Sequence, residues 1–461
     1  LDYERQQKNI LTFAFSTEKI MVLIYTHKIT KRAQYIFRLF FEQLLGLEFK
    51  LTSDIDFFKA YNGIRISYTR KPIGKEIFFN ASGLLFESGV QGQEPGFFLY
   101  NKQPAFYPVY VKSSVLPFDM FAAAFFLVTR YEEYLPYIRD RFGRFDAKES
   151  FSVKNDFLQV PVVNIWAEEL KRIIQTRYPD AEFKARKFSF TPTLDIDSAY
   201  SYRLKGTVRT IGGFVRSIIK FDFKEFLERF QVMLGLLKDP FDTYDLQLRI
   251  QRQYKLRPIY FILLGDYGRL DKNIPGSSRQ FQTLIKSLAD YAEVGIHPSF
   301  DSNENSDKLK IEIERLSKIL NREITKSRQH FLMLNFPHTY RNLINMDITD
   351  DYTMGYASEP GFRAGICDSY YFYDLDLETE TKLKIHPFAM MEGTYKDYLL
   401  LPAEASLIRI KKLIDQVKAV DGHFISLWHN ESLSNARRWK GWQKVYEEMI
   451  KYALVEDEDL K

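Results

Sequence analysis

The chain has 461 residues, 45% hydrophobic and 27% charged, with a net charge of +5. That length exceeds one ordinary core, so two domains are expected, and so mild a charge with both signs interspersed excludes a dedicated nucleic-acid binder. The single cysteine, Cys367, excludes an internal disulfide and a thiolate metal centre; the longest apolar run, Met120–Val128, is too short to span a bilayer.

In chain order, residues 1–20 are set aside as an extension with no role assigned. They lack the basic, apolar, small-residue order of a signal peptide, so a cytoplasmic location is expected. Residues 21–182 have the pattern of a smaller, mixed α/β domain. Strands are expected at 21–25 and 77–79, and helices at 31–45, 54–61, 116–134 and 166–178. The helix at 116–134 is apolar on nearly every side and ends in Arg130, Glu132 and Glu133, which read as a solvated helix end with local ion pairs. Nothing catalytic stands out in this half.

From 183 to 461 strands alternate with helices, the signature of a parallel sheet or barrel. Strands are expected at 188–194, 258–264, 294–297, 324–331, 383–388 and 423–429. Helices are expected at 279–293, 308–320, 337–345, 403–420 and 439–452. An irregular helical insertion rich in Phe fills 205–240, and 351–366 reads as a glycine-punctuated loop.

The first of these strands carries Asp195 and Asp197, which as i and i+2 on extended chain share one face. Six of the seven histidines lie at or after residue 297. Four strand ends thus carry ionisable residues: Asp195 with Asp197, His297, Arg328 with His330, and His429. In a parallel barrel these ends meet on one rim. Carboxylate plus imidazole is a ligand set for zinc or another divalent metal with an open position for water. Taken singly, each histidine is more often a structural residue than a ligand; it is their order at successive strand ends that favours a site. His386, His338 and His423 read as structural or surface residues.

These stretches resemble the polysaccharide deacetylase family (carbohydrate esterase family 4, the NodB-homology proteins), over about residues 186–455. T-L-D-I-D at 193–197 is similar to the family's first motif, I-Y-F-I-L-L-G at 259–265 to its second strand, E-V-G-I-H-P-S at 293–299 to its His motif, S-R-Q-H-F at 327–331 to its Arg motif, and F-I-S-L-W-H at 424–429 to its last. The closest likeness is to a Bacteroidetes-type branch with an N-terminal α/β domain. The resemblance implies a distorted (β/α) barrel and removal of acetyl groups from a sugar in a glycan or glycan precursor. It makes Asp195 the base, Asp197 and His297 metal ligands, Arg328 the partner that orients Asp195, and His429 the general acid. It implies a divalent metal, zinc first, and an acetylated sugar or polysaccharide as partner.

The family's second histidine is replaced, four residues after His297, by Asp301. The third ligand is then Asp301 or His330, unless the site holds no metal; His330 is favoured because a strand-end residue is better fixed than one in a loop. Trp428 is expected to line the pocket. Arg363 either contacts an anionic substrate group or anchors a turn through an ion pair. Two rival readings stand beside the deacetylase: a catalytically degenerate glycan-binding or assembly module, and a metal-dependent amidase or esterase acting on a non-sugar substrate.

Overall fold

A computed structural model describes residues 21–455; the extension expected at 1–20 lies outside the described residues. The first half is built on a four-stranded parallel sheet in the order β2-β1-β3-β4, where β1 is Val22–Tyr25, β2 Phe49–Thr52, β3 Ile64–Thr69 and β4 Ile77–Asn80. An antiparallel hairpin follows, β5 (Phe97–Tyr100) with β6 (Gln103–Phe106). The long helix expected at 116–134 is shorter, Met120–Val128. Pro117 disfavours helix for the residue before it, and Asp119 starts the helix by accepting from the Ala122 N–H at 3.0 Å. Every residue of this helix is buried, and Arg130, in the left-handed region at φ 55°, ends the turn that follows.

The second half holds a nine-stranded sheet. Its strands are β7 (Ser189–Ile196), β8 (Ile259–Leu263), β9 (Glu293–His297), β10 (Lys326–Ser327), β11 (Asp350–Asp351), β12 (Tyr370–Asp374), β13 (Thr379–Ile385), β14 (Met390–Met391) and β15 (His423–His429). The order is β12-β13-β11-β10-β9-β8-β7-β15-β14, and every ladder is parallel except β12 with β13. The strands β13 and β14 belong to one extended segment. Its first part pairs with β11 and its last with β15, and between them the Phe388 N–H donates to Met354 O (3.2 Å) and the Ala389 N–H to Ile425 O (2.9 Å). Residues 379–391 therefore meet both ends of the parallel array.

Strand β8 is buried throughout, as a parallel strand covered on both faces must be. Pro192, which has no N–H, lies in β7 where only β15 pairs with it; the β8 ladder begins one residue later, at Thr193. Gly295 in β9 has no room for a side chain. A Cβ there would stand 2.7 Å from Lys326 O and 2.8 Å from the Phe261 ring. A small apolar cluster of Phe261, Leu332, Tyr352, Phe388, Ile425 and Leu427 is separate from the main core, which runs through both halves of the chain.

The expected strand at 324–331 is cut to two residues. After Ser327 the chain leaves the ladder, and His330–Leu332 form a 3-10 turn with Phe331 at φ 57°. The insertion at 205–240 resolves into two helices, Thr207–Ile219 and Phe223–Met233. Among the described residues, no helix is long and apolar enough to cross a membrane.

Candidate metal and active site

The C-terminal ends of β7, β9 and β15, with the turn after β10, converge on a cavity of about 270 Å³. Asp195, Asp197, His297, His330 and His429 all line it. Strand β7 brings Asp195 and Asp197 to one face while Leu194 and Ile196 on the other enter the main core.

Asp195 is buried, and its Oδ1 accepts from Arg328 Nη1 at 3.0 Å. The same Nη1 donates to Thr193 Oγ1 at 2.6 Å, and Arg328 Nε donates to Tyr352 O at 2.9 Å. The guanidinium lies over the Phe261 ring, 4.7 Å from its centroid, so its plane is fixed by packing as well as hydrogen bonds. Asp195 is held by one oxygen, and its Oδ2 lies 3.7 Å from His297 Nε2.

His297 Nδ1 sits against the backbone carbonyl of Arg328. A carbonyl only accepts, so Nδ1 carries the proton and, in the neutral ring, Nε2 presents a lone pair. That lone pair faces Asp197 Oδ1 at 3.2 Å. His330 repeats the arrangement: Nδ1 meets Asp271 Oδ1 at 2.7 Å, and Nε2 faces Asp197 Oδ2 at 3.5 Å. With His297 neutral, acceptor faces acceptor between its Nε2 and Asp197 Oδ1, and that oxygen is buried with no hydrogen-bond partner. One donor atom each from Asp197, His297 and His330 lies within 4.8 Å of the others, the one such group among the described residues. Burial pushes the Asp197 carboxyl up, but His330, His297 and His429 more than reverse this and hold it well below the usual range. Burial pulls His330 down, while Asp197 and Asp271 raise it to about 9. Both shifts express the same demand for positive charge between the side chains.

His429 stands on the far side, with Nε2 3.8 Å from Asp197 Oδ2. Its Nδ1 and its backbone N–H both meet Glu392 Oε1 at 2.8 Å. Burial opposes protonation of His429, and Glu392 together with Asp197 and Asp195 outweighs it, lifting the imidazole well above its ordinary value. Apolar Leu332, Met391 and Leu427 line the cavity beside it.

Comparisons with known proteins add the following. Residues 22–179 match a family of unknown function, DUF7033. No curated protein matches the chain. Among solved structures, one described as a polysaccharide deacetylase from Mycobacterium smegmatis is 12% identical, with a TM-score of 0.39, over 59% of this chain and 86% of its own. An allantoinase is 8% identical with a TM-score of 0.39, over 58% and 84%. A structure described as a polysaccharide deacetylase from Pseudomonas aeruginosa PAO1 is 10% identical with a TM-score of 0.38, over 60% and 90%. At such values the chemistry has to be read from the site's own residues.

Asp301 is not at the cavity. The loop after β9 is tied down by Glu312, which accepts from the Ser299 N–H (2.9 Å), and by Asp271, which accepts from the Phe300 N–H (2.9 Å). Asp301 is left outside, exposed and 3.3 Å from Lys308 Nζ. The substrate contact expected of Trp428 is corrected, and of the two alternatives for Arg363 the ion pair is the one present. Trp428 is fully buried against Trp442 and Tyr446, on the opposite face of β15 from His429, as adjacent strand residues must be. Arg363 is buried in a bidentate pair with Glu133 (2.9 and 2.6 Å), away from the cavity. Arg130, Glu132 and Glu133 are likewise no solvated helix end: Arg130 and Glu133 are buried, and Arg130 donates to both glutamates and to the Arg363 carbonyl. Sequence reasoning missed Asp271 and Glu392, the carboxylates behind His330 and His429.

Proposed function

We propose that the chain is a metal-dependent hydrolase that removes an acetyl group from an N- or O-acetylated sugar in a glycan or glycan precursor. The observation that carries this is the gap among Asp197, His297 and His330. One donor atom of each converges on the same point, the buried Asp197 Oδ1 has no hydrogen-bond partner, and the rear nitrogen of each ring is anchored. Such rear anchoring is what orients histidine ligands. These three residues would hold a divalent cation, zinc being the first expectation for two imidazoles and a carboxylate. When bound there, the cation would polarise the acetyl carbonyl and lower the pKa of water in its open position.

The chain's own groups divide the proton work. Asp195, fixed through one oxygen by Arg328, takes the proton from the water that adds to the acetyl carbon. His429, anchored at Nδ1 by Glu392, gives a proton to the departing sugar nitrogen or oxygen as its bond to the acetyl carbon breaks. Acetate and the free amine or hydroxyl are the products. Leu332, Met391 and Leu427 offer the acetyl methyl an apolar wall.

We read residues 183–461 as the catalytic unit and 21–182 as a smaller α/β unit. The end of the family match at residue 179 supports that division. The pairing of residues 379–391 with both β11 and β15, and the small apolar cluster between them, support reading the parallel sheet as a distorted barrel. The test is hydrolysis of acetylated sugars, set against simple esters and non-sugar amides, by protein that is metal-stripped and then reloaded. Acetate release from the sugars only after reloading is expected; metal-dependent turnover confined to non-sugar amides would replace this reading with that of an amidase.

A further inference from the structure

The insertion between β7 and β8 is a helical hairpin whose outer surface no part of the described chain covers. On Thr207–Ile219 the side chains of Val208, Ile211, Val215, Ile218 and Ile219 are exposed and recur at helical spacing on one side. On Phe223–Met233, Phe223, Leu227, Phe230 and Met233 do the same. The tip that joins the helices presents Phe221 and Phe223, which are 80% and 67% exposed. Isolated exposed apolar residues need no explanation, but so many on two consecutive helices and the tip between them mark an interaction site.

Charge identifies the occupant. Between residues 206 and 238 there are six Lys and Arg against three Asp and Glu, a net charge of +3. All three acids are engaged within the protein. Asp222 caps the second helix through the Glu225 N–H, Glu225 pairs with Arg229 at 2.9 Å, and Glu228 pairs with Arg437 at 2.9 Å. Arg216, Lys220 and Lys224 are exposed and face no carboxylate among the described residues. Two of them flank the aromatic tip. Apolar side chains standing out from a hairpin edged by unpaired cations fit the interfacial layer of an anionic membrane, where the rings enter the headgroup region and the cations meet lipid phosphates. A second copy of the same face is a poor fit, since it would bring +3 against +3.

We propose that residues 206–238 dock the protein on an anionic lipid surface, lying on the membrane without crossing it. The base of the hairpin is rigid: the Asp239 carboxylate accepts from the backbone N–H groups of Ser201, Tyr202, Arg203 and Phe241. In the chain it follows β7, after the segment that Asp239 pins. Arg437, which holds Glu228, is followed by Arg438 and Trp439 in the wall of the cavity. This inference is independent of the reaction proposed above.

The test needs no turnover. The full chain is floated with pure phosphatidylcholine vesicles and with equimolar phosphatidylcholine–phosphatidylglycerol vesicles. Binding to the anionic vesicles at least ~10-fold tighter than to the neutral ones, and weakened by salt, is expected. Lys220→Glu with Lys224→Glu should weaken it by ~25-fold or more, at about fivefold per basic residue. Phe221→Ser with Phe223→Ser should weaken it by at least ~10-fold, with circular dichroism unchanged in both variants. Wild-type protein that floats with neither vesicle, or equally with both, overturns the proposal. So does a dimer in sedimentation velocity that the Phe variant abolishes while vesicle binding is unaffected; that result would assign the face to a second copy of the chain.

Discussion

Two charged clusters dominate the interior, and they differ in whether their polar atoms are met. Around Glu133, both carboxylate oxygens accept from guanidinium groups of Arg130 or Arg363, and the remaining donors reach Glu132, Tyr356 and the carbonyls of Gly355 and Arg363. Two arginines balance two glutamates. At the rim of the parallel sheet, Asp195, Asp197, Asp271 and Glu392 are answered by one guanidinium, Arg328, and three imidazoles. Asp197 Oδ1, Glu392 Oε2 and Arg328 Nη2 are buried without partners. A structural cluster closes on itself, whereas this one is short of positive charge at a particular point. Only the second implies a ligand.

The largest effect that should separate the clusters is on turnover. Asp195→Asn should leave metal binding intact and lower acetate release by about 10²- to 10⁴-fold, because an amide cannot take the proton. Metal content and turnover measured on the same sample check both halves; parallel loss of metal would make Asp195 a ligand. Next, Glu133→Ala leaves two buried arginines facing each other and should cost about 3–5 kcal/mol of stability, read by urea unfolding. The metal content of the folded fraction should not change. If it did, the two clusters would be coupled.

Smaller effects sharpen the picture. Glu392→Gln removes the anionic anchor of His429 and should lower turnover by about 10- to 100-fold with metal retained, by analogy with the loss of groups that orient catalytic side chains. Restoration of activity by Glu392→Asp would fit positioning; equal loss in both variants would require Glu392 itself to react. The smallest effect is on acid stability. Burial lowers His423 to about 4, below the ordinary value near 6.5. A folded pKa depressed in this way gives stability that is full above about pH 6.5 and is lost as the pH falls through 4, at most about 3 kcal/mol. His423→Gln, which can still reach Thr191 Oγ1, should flatten the unfolding free energy across that window. An unchanged slope would place the acid sensitivity of that window in another group.

What could be read from the sequence followed strand periodicity. Asp195, Asp197, His297 and His429 were legible because each ends a strand with a clear apolar run. His330 was reached by a partly mistaken route: the strand that was to carry it stops at Ser327, and the turn after it delivers the imidazole. Glu392 was hidden because the strand was ended at residue 388; continued through Met390 and Met391, the same strand-end rule would have found it. Asp271 lies in irregular chain beyond β8, where no periodic signal exists. Trp428 was misassigned against the alternation itself, since it is adjacent to His429 on a strand. Arg363 and Glu133 are 230 residues apart in sequence, and nothing local announces such a pair.

The central claim is that Asp197, His297 and His330 form one divalent-cation site and Asp301 does not belong to it. Calorimetric titration of zinc into metal-stripped protein tests this directly, with Asp197→Ala, His330→Ala and Asp301→Ala alongside. The account predicts one site in the wild type, unchanged affinity in Asp301→Ala, and at least about 100-fold weaker binding in the other two. Weak binding in Asp301→Ala with full affinity in His330→Ala would contradict it.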